Sequence, residues 1–154
     1  MTGFGGGLGV VALRRPRWAI DVPYVVHLGA MANSELKRVP AIFFRTAAGR
    51  EPVRDWLRSL EPADRKRIGV DIQTVEFGWP VGMPVCRSLG GGLFEVRSEL
   101  SQNRISRVLF YIDRESRMVL LHGFIKKTQK TPTGDLDLAR RNKALHEAGI
   151  RRKA

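Results

Sequence analysis

Three apolar runs lie between residues 85 and 125, and the links between them are very short. The runs cover residues 85–100, 104–113 and 118–125, joined through Ser101-Gln-Asn103 and Arg114-Glu-Ser-Arg117. Links of this length cannot carry a crossover, so successive runs must return antiparallel. Gly90-Gly91-Gly92 interrupts the first run and reads as a hairpin or bulge. In the middle run Ser106, Val108, Phe110 and Ile112 alternate with Arg107, Leu109 and Tyr111. Both sets hold apolar side chains, which predicts a strand covered on both faces.

Helical signals flank this block. Residues 39–45 read as a first strand, rich in aromatic and branched side chains. Glu51-Pro52 opens a helix whose Val53, Trp56, Leu57 and Leu60 form one apolar stripe. Pro62 and Asp64 start a second, with Ile68, Ile72 and Val75 inward, Arg65, Lys66 and Arg67 outward, and Gly78 as its end. Residues 79–84 form a loop punctuated by prolines. A last helix is expected with Thr131 as cap, Pro132 in its first position and Asp135 in its opening turns. Its expected inward face carries Leu138, Asn142, Leu145 and Ala148, and Gly149 ends it. The class is therefore α+β, with helices packed on an antiparallel sheet. Residues 1–30 are Gly-rich and lack a sustained period, so residues 1–37 are read as a poorly ordered extension and 38–154 as the domain. Met31 is read as an alternative start of translation.

Charge narrows the partners. Lys and Arg number 27 against 15 Asp and Glu, a formal net charge of +12. Such a field attracts polyanions, nucleic acid first and an anionic membrane surface second. No run reaches the roughly 18 apolar residues that a spanning helix needs. In residues 1–17 the arginines follow the apolar stretch, the reverse of a secretory signal. The single cysteine, Cys86, allows no internal disulfide, which fits a reducing, cytoplasmic setting.

The chemistry on offer is cationic. The three histidines, His27, His122 and His146, are scattered, no zinc spacing occurs, and the glycine run lacks the Lys-Ser/Thr of a phosphate loop. No cofactor or metal is expected. Arg97, Arg107, Lys126 and Lys127 sit on or after neighbouring runs and can converge on one face. RNA cleavage by the 2′-hydroxyl needs a base, a stabiliser of the phosphorane and an acid for the leaving oxygen. Arg and Lys suit the second task, while Glu95 or His122 suits proton transfer. Glu95 shares a strand face with Arg97, as a base or as an ion-pair partner. Taken singly, each has an ordinary alternative: a lysine pair is usually a solvated face, and a histidine in an apolar run usually bonds to backbone. Arg104, Thr128, Gln129 and Lys130 are further candidates for RNA contact. Arg97, Lys126 and Lys127 are expected to be exposed.

Gly92-Leu-Phe-Glu-Val-Arg97, Arg107-Val-Leu-Phe-Tyr111 and Leu120-Leu-His-Gly-Phe-Ile-Lys-Lys-Thr-Gln-Lys-Thr-Pro132 together resemble the phage-derived HigB-like branch of the RelE/ParE toxin superfamily. Ala139 to Arg141 resembles the family's last helix, and the likeness covers about residues 38–148. It implies a RelE-like, microbial-RNase-like fold: a curved antiparallel sheet, two N-terminal helices and a C-terminal helix. It implies a ribosome-dependent mRNA endonuclease and a helix-turn-helix antitoxin of the HigA type as partner, with no membrane role. By position, Arg97 and Arg107 match basic strand residues near the scissile phosphate, and Lys126 and Lys127 match the basic end of the last strand. Glu95 stands where such toxins often carry a basic residue, and no tyrosine matches their stacking residue. A gyrase-directed ParE-like toxin and a non-catalytic nucleic-acid-binding module are the alternatives.

Overall fold

A computed structural model of the chain describes residues 37–126 and 131–153. The order is β1 (Ala41–Phe43), α1 (Pro52–Ser59), α2 (Pro62–Gly78), β2 (Cys86–Gly90), β3 (Leu93–Glu99), β4 (Ile105–Ile112), β5 (Met118–Lys126) and α3 (Thr133–Lys153). The strands form one sheet in the order β1-β5-β4-β3-β2. This is the expected α+β class. The first apolar run splits in two, because Gly91 and Gly92 both take positive φ (61° and 76°) and make the β2–β3 hairpin turn.

Strands β2 to β5 form the antiparallel meander that the short links dictate. The sheet as a whole is mixed, which corrects the expectation of an antiparallel one: β1 lies parallel to β5. Two helices and three strands separate β1 from β5, so no short link constrains their direction. Glu76 of α2 pins the chain entering β1. Its buried carboxylate accepts the Ala41 N–H at 2.7 Å and Lys37 Nζ at 3.1 Å. Its backbone carbonyl accepts the N–H groups of Arg38 and Val39.

Both sheet faces are covered. Val53 and Leu57 of α1 and Ile68, Ile72 and Val75 of α2 pack on Val96, Val108, Phe110, Met118 and Leu120. On the other face, Ala139 and Leu136 of α3 pack with Leu93, Leu109, Tyr111, Val119 and Leu121. Burying aliphatic and aromatic side chains on this scale is the main driving force for folding. Cys86 lies in the first core, where burial and nearby Glu95 push its thiol up to about 11 and leave it inert.

Helix α3 departs from the expected stripe. Leu138 and Leu145 face outward, at 37% and 57% exposure. Ala148 is exposed as well, while Asn142 faces inward as expected, beside Leu136, Ala139 and His146, with its Nδ2 donating to the Leu121 carbonyl at 2.9 Å. Polar docking bonds, rather than the most apolar stripe, set the rotation of this helix. Gly149 does not end it, and the helix runs to Lys153. No helix among the described residues is long and apolar enough to cross a membrane. The extension expected over 1–37, and the reading of Met31, lie outside the described residues except for Lys37.

Candidate nucleic-acid interface

A single β-bulge builds the site. Leu109 pairs with His122 while its neighbour Phe110 pairs with Leu120, leaving Leu121 extra in β5. Leu121 and His122 consequently both turn toward the α3 face, and the alternation of β5 is inverted from there on. Three rows of side chains then cross β3, β4 and β5 on that face. They are Glu95–Leu109–His122, Arg97–Arg107–Phe124 and Glu99–Ile105–Lys126. Gly123 falls on the opposite face, where a Cβ would overlap Cε3 and Cζ3 of Trp56.

Five of the sequence candidates thus share one face, in two different environments. Arg107 and Glu95 are both fully buried. Arg107 Nη1 donates to Glu95 Oε1 and Oε2, each at 3.2 Å, and to Thr131 Oγ1 at 2.6 Å. The Thr131 hydroxyl in turn donates to Glu95 Oε2 at 2.8 Å. The hydroxyl expected to cap α3 is therefore committed to this ion pair, because buried charges require hydrogen-bond partners more than an exposed helix end does. The triangle anchors the start of α3 to the sheet.

The other three candidates border solvent. His122 Nε2 lies 2.7 Å from Asp135 Oδ1 in the first turn of α3. Their side chains are 18% and 24% exposed. The carboxylate orients the imidazole and places the proton on Nε2, which leaves Nδ1 as the basic atom. The His122 ring stacks on Phe124, with centroids 5.5 Å apart and planes inclined by 26°. Arg97 and Lys126 are half-buried, not exposed as expected. Neither makes an ion pair among the described residues, and Arg97 Nε is buried without a hydrogen-bond partner there.

Arg104 is not brought to this patch. Its guanidinium grips Asp64 of α2 through two bonds of 2.7 and 3.1 Å, which raises its pKa. Lys127, Thr128, Gln129 and Lys130 lie outside the described residues. Two members of the patch were not singled out from sequence as site residues: Phe124 and Asp135. Phe124 was discoverable, since it alternates with His122 and Lys126. Asp135 carried no signal linking it to a histidine 13 positions earlier.

Among the described residues, no group of three or more His, Cys, Asp or Glu side chains is placed to share a metal ion. The patch instead offers an oriented imidazole, an aromatic ring and two cations that make no ion pair among the described residues. That combination suits a phosphodiester flanked by a base. No curated protein matches the chain. A family model described as phage derived protein Gp49-like (DUF891) matches residues 55–144, from α1 into α3 and across the whole patch. Since that match spans more than half of its length, the chain belongs to the phage-derived Gp49-like family.

Proposed function

We propose that the protein is the toxin of a type II toxin–antitoxin system, an endoribonuclease that cuts mRNA on the ribosome and stops translation. The observation that carries this reading is the His122–Asp135 pair beside Arg97, which makes no ion pair among the described residues, on one sheet face. His122 Nδ1 takes the proton from the 2′-hydroxyl, and the oxygen attacks the adjacent phosphorus. The P–O5′ bond breaks to leave a 2′,3′-cyclic phosphate, the departing 5′-oxygen taking a proton from solvent while His122 returns its own to solvent. Arg97 and Lys126 hold the phosphate and stabilise charge on the phosphorane. Phe124 supports a base. Lys127, Thr128, Gln129 and Lys130, next in sequence after Lys126, are assigned to RNA contact on the basic character of this run. The buried Glu95–Arg107 pair serves the site from beneath, by holding Thr131 and so placing Asp135. The reaction runs in the cytoplasm on side-chain chemistry alone, and a helix-turn-helix antitoxin of the HigA type is the neutralising partner. A gyrase-directed relative or a passive nucleic-acid binder has no use for an oriented imidazole at a phosphate site.

Induced expression with mapping of mRNA ends on ribosomes tests the proposal. The native chain should arrest translation and leave cut mRNA. His122→Ala and Arg97→Ala should each lower cleavage by about 100-fold or more, the usual scale for an acid–base group or a charge-stabilising donor. Circular dichroism should show an unchanged fold. Growth arrest with intact mRNA, or undiminished cleavage in both variants, would sink it.

A further inference from the structure

A groove of about 140 Å³ opens where β3 and β4 meet the loop before β2. It is lined by Arg67, Pro84, Val85, Arg97, Glu99 and Ile105. Its volume is several times the roughly 10–15 Å³ that one water needs. Two of its walls are arginines from different layers. Arg97 comes from the sheet, and its backbone N–H is fixed on the Val85 carbonyl at 2.8 Å. Arg67 comes from α2, with Nε held 3.2 Å from Asp71 Oδ2 and a side chain 54% exposed.

Arg97 Nε is buried with no hydrogen-bond partner among the described residues, as are the Nε atoms of Arg54 and Arg65. A donor hidden from water without an acceptor is costly, more so on a charged group. The Arg97 side chain lines the groove, and a guanidinium offers a fork that matches two phosphate oxygens. Glu99 opposes an anion here and therefore gives the proposal a sign that can be checked.

We propose that this groove is a second phosphate subsite, in which Arg67 holds the phosphate next to the scissile one and Arg97, whose side chain borders both the patch and the groove, bridges the two phosphates. The strand then leaves the patch around Phe124, passes over the end of β3 and β4, and continues along the basic face of α2. This rests on the RNA reading of the patch and adds the direction of the strand and a residue, Arg67, outside it.

The probe is a six-nucleotide single-stranded RNA made uncleavable by 2′-O-methylation, titrated into the full chain. Arginine Nε–H and histidine ring resonances are followed by NMR, and affinities are measured at several salt concentrations. The Nε–H signals of Arg97 and Arg67 should move together. Arg67→Gln should weaken binding by about 3- to 10-fold and lower the salt slope by about 0.7, the value for one phosphate contact on a single strand. Glu99→Gln should tighten binding. The Arg67→Gln and Arg97→Gln effects should be less than additive, because both residues contact the groove phosphate. If Arg97 and His122 respond but Arg67→Gln stays within twofold, or if Glu99→Gln weakens binding, the groove is not a subsite while the RNA reading stands. If neither Arg97 nor His122 responds, both fall.

Discussion

Arg107 shows how burial changes the meaning of a basic residue. In sequence it matches Arg97: a strand arginine at an equivalent level on the next strand. In the fold Arg107 is 0% exposed and bound to Glu95 and Thr131, while Arg97 keeps a solvent edge. Their variants should therefore fail in different ways. Arg107→Met leaves the Glu95 carboxylate buried and unpaired, which costs about 3–5 kcal/mol. Arg107→Met/Glu95→Leu removes both charges and should recover most of that loss. Urea denaturation measures this, and a loss under 1 kcal/mol for Arg107→Met would refute it. Lost activity in an Arg107 variant accordingly reports on the fold before it reports on chemistry. Gly123 is equally constrained. Gly123→Ala must displace the Trp56 ring and should destabilise by about 1–3 kcal/mol, with a shift in tryptophan fluorescence emission.

At the scale of elements, α3 is held by polar bonds along its length. Thr131 binds at its start, Asn142 in the middle, and His146 Nδ1 near its end accepts the Tyr111 hydroxyl at 2.6 Å. Burial pushes the Tyr111 phenol up to about 12, so it keeps its proton and donates. Burial also lowers the pKa of His146 from its ordinary 6.5, with Asp113 partly opposing and Arg117 reinforcing the shift. The unfolded chain therefore binds more protons than the folded one below pH 6.5, and stability must fall with pH. The contribution of neutral His146 is complete above 6.5 and is lost as pH drops through the lowered folded value. Melting temperature should fall between pH 7 and pH 5, and His146→Gln should flatten that fall. An identical pH profile in the variant would rule His146 out as its source. The rotation of α3 was not legible in sequence, because Leu138 and Leu145 make a better apolar stripe than the residues that dock.

For the whole molecule, the formal charge of +12 is the dominant long-range property. Glu95 neutralises Arg107, and Asp64 neutralises Arg104, so among the described residues the field at the patch comes from Arg97 and Lys126. Binding of single-stranded RNA should be strongly salt-dependent. About four phosphate contacts give a slope near −3, and so a loss of about 50-fold between 50 and 200 mM salt. Affinity indifferent to salt in that range would contradict a phosphate-binding surface.

Link length alone determined that β3, β4 and β5 run antiparallel, since three or four residues leave a strand no other way to return, whereas the glycine run left hairpin or bulge open before β3. Period-two alternation determined that Glu95 goes with Arg97, and that His122, Phe124 and Lys126 go together. What alternation leaves open is which face each set takes, and here the tertiary structure decided. The extra residue at Leu121 inverts β5 and turns its set onto the face of Arg97. Docking of α3 then supplied Asp135 to His122 and closed Thr131 over Glu95 and Arg107. Local periodicity is written in neighbouring residues, whereas a bulge and a helix rotation are settled only when distant side chains compete for the same buried space and the same hydrogen bonds.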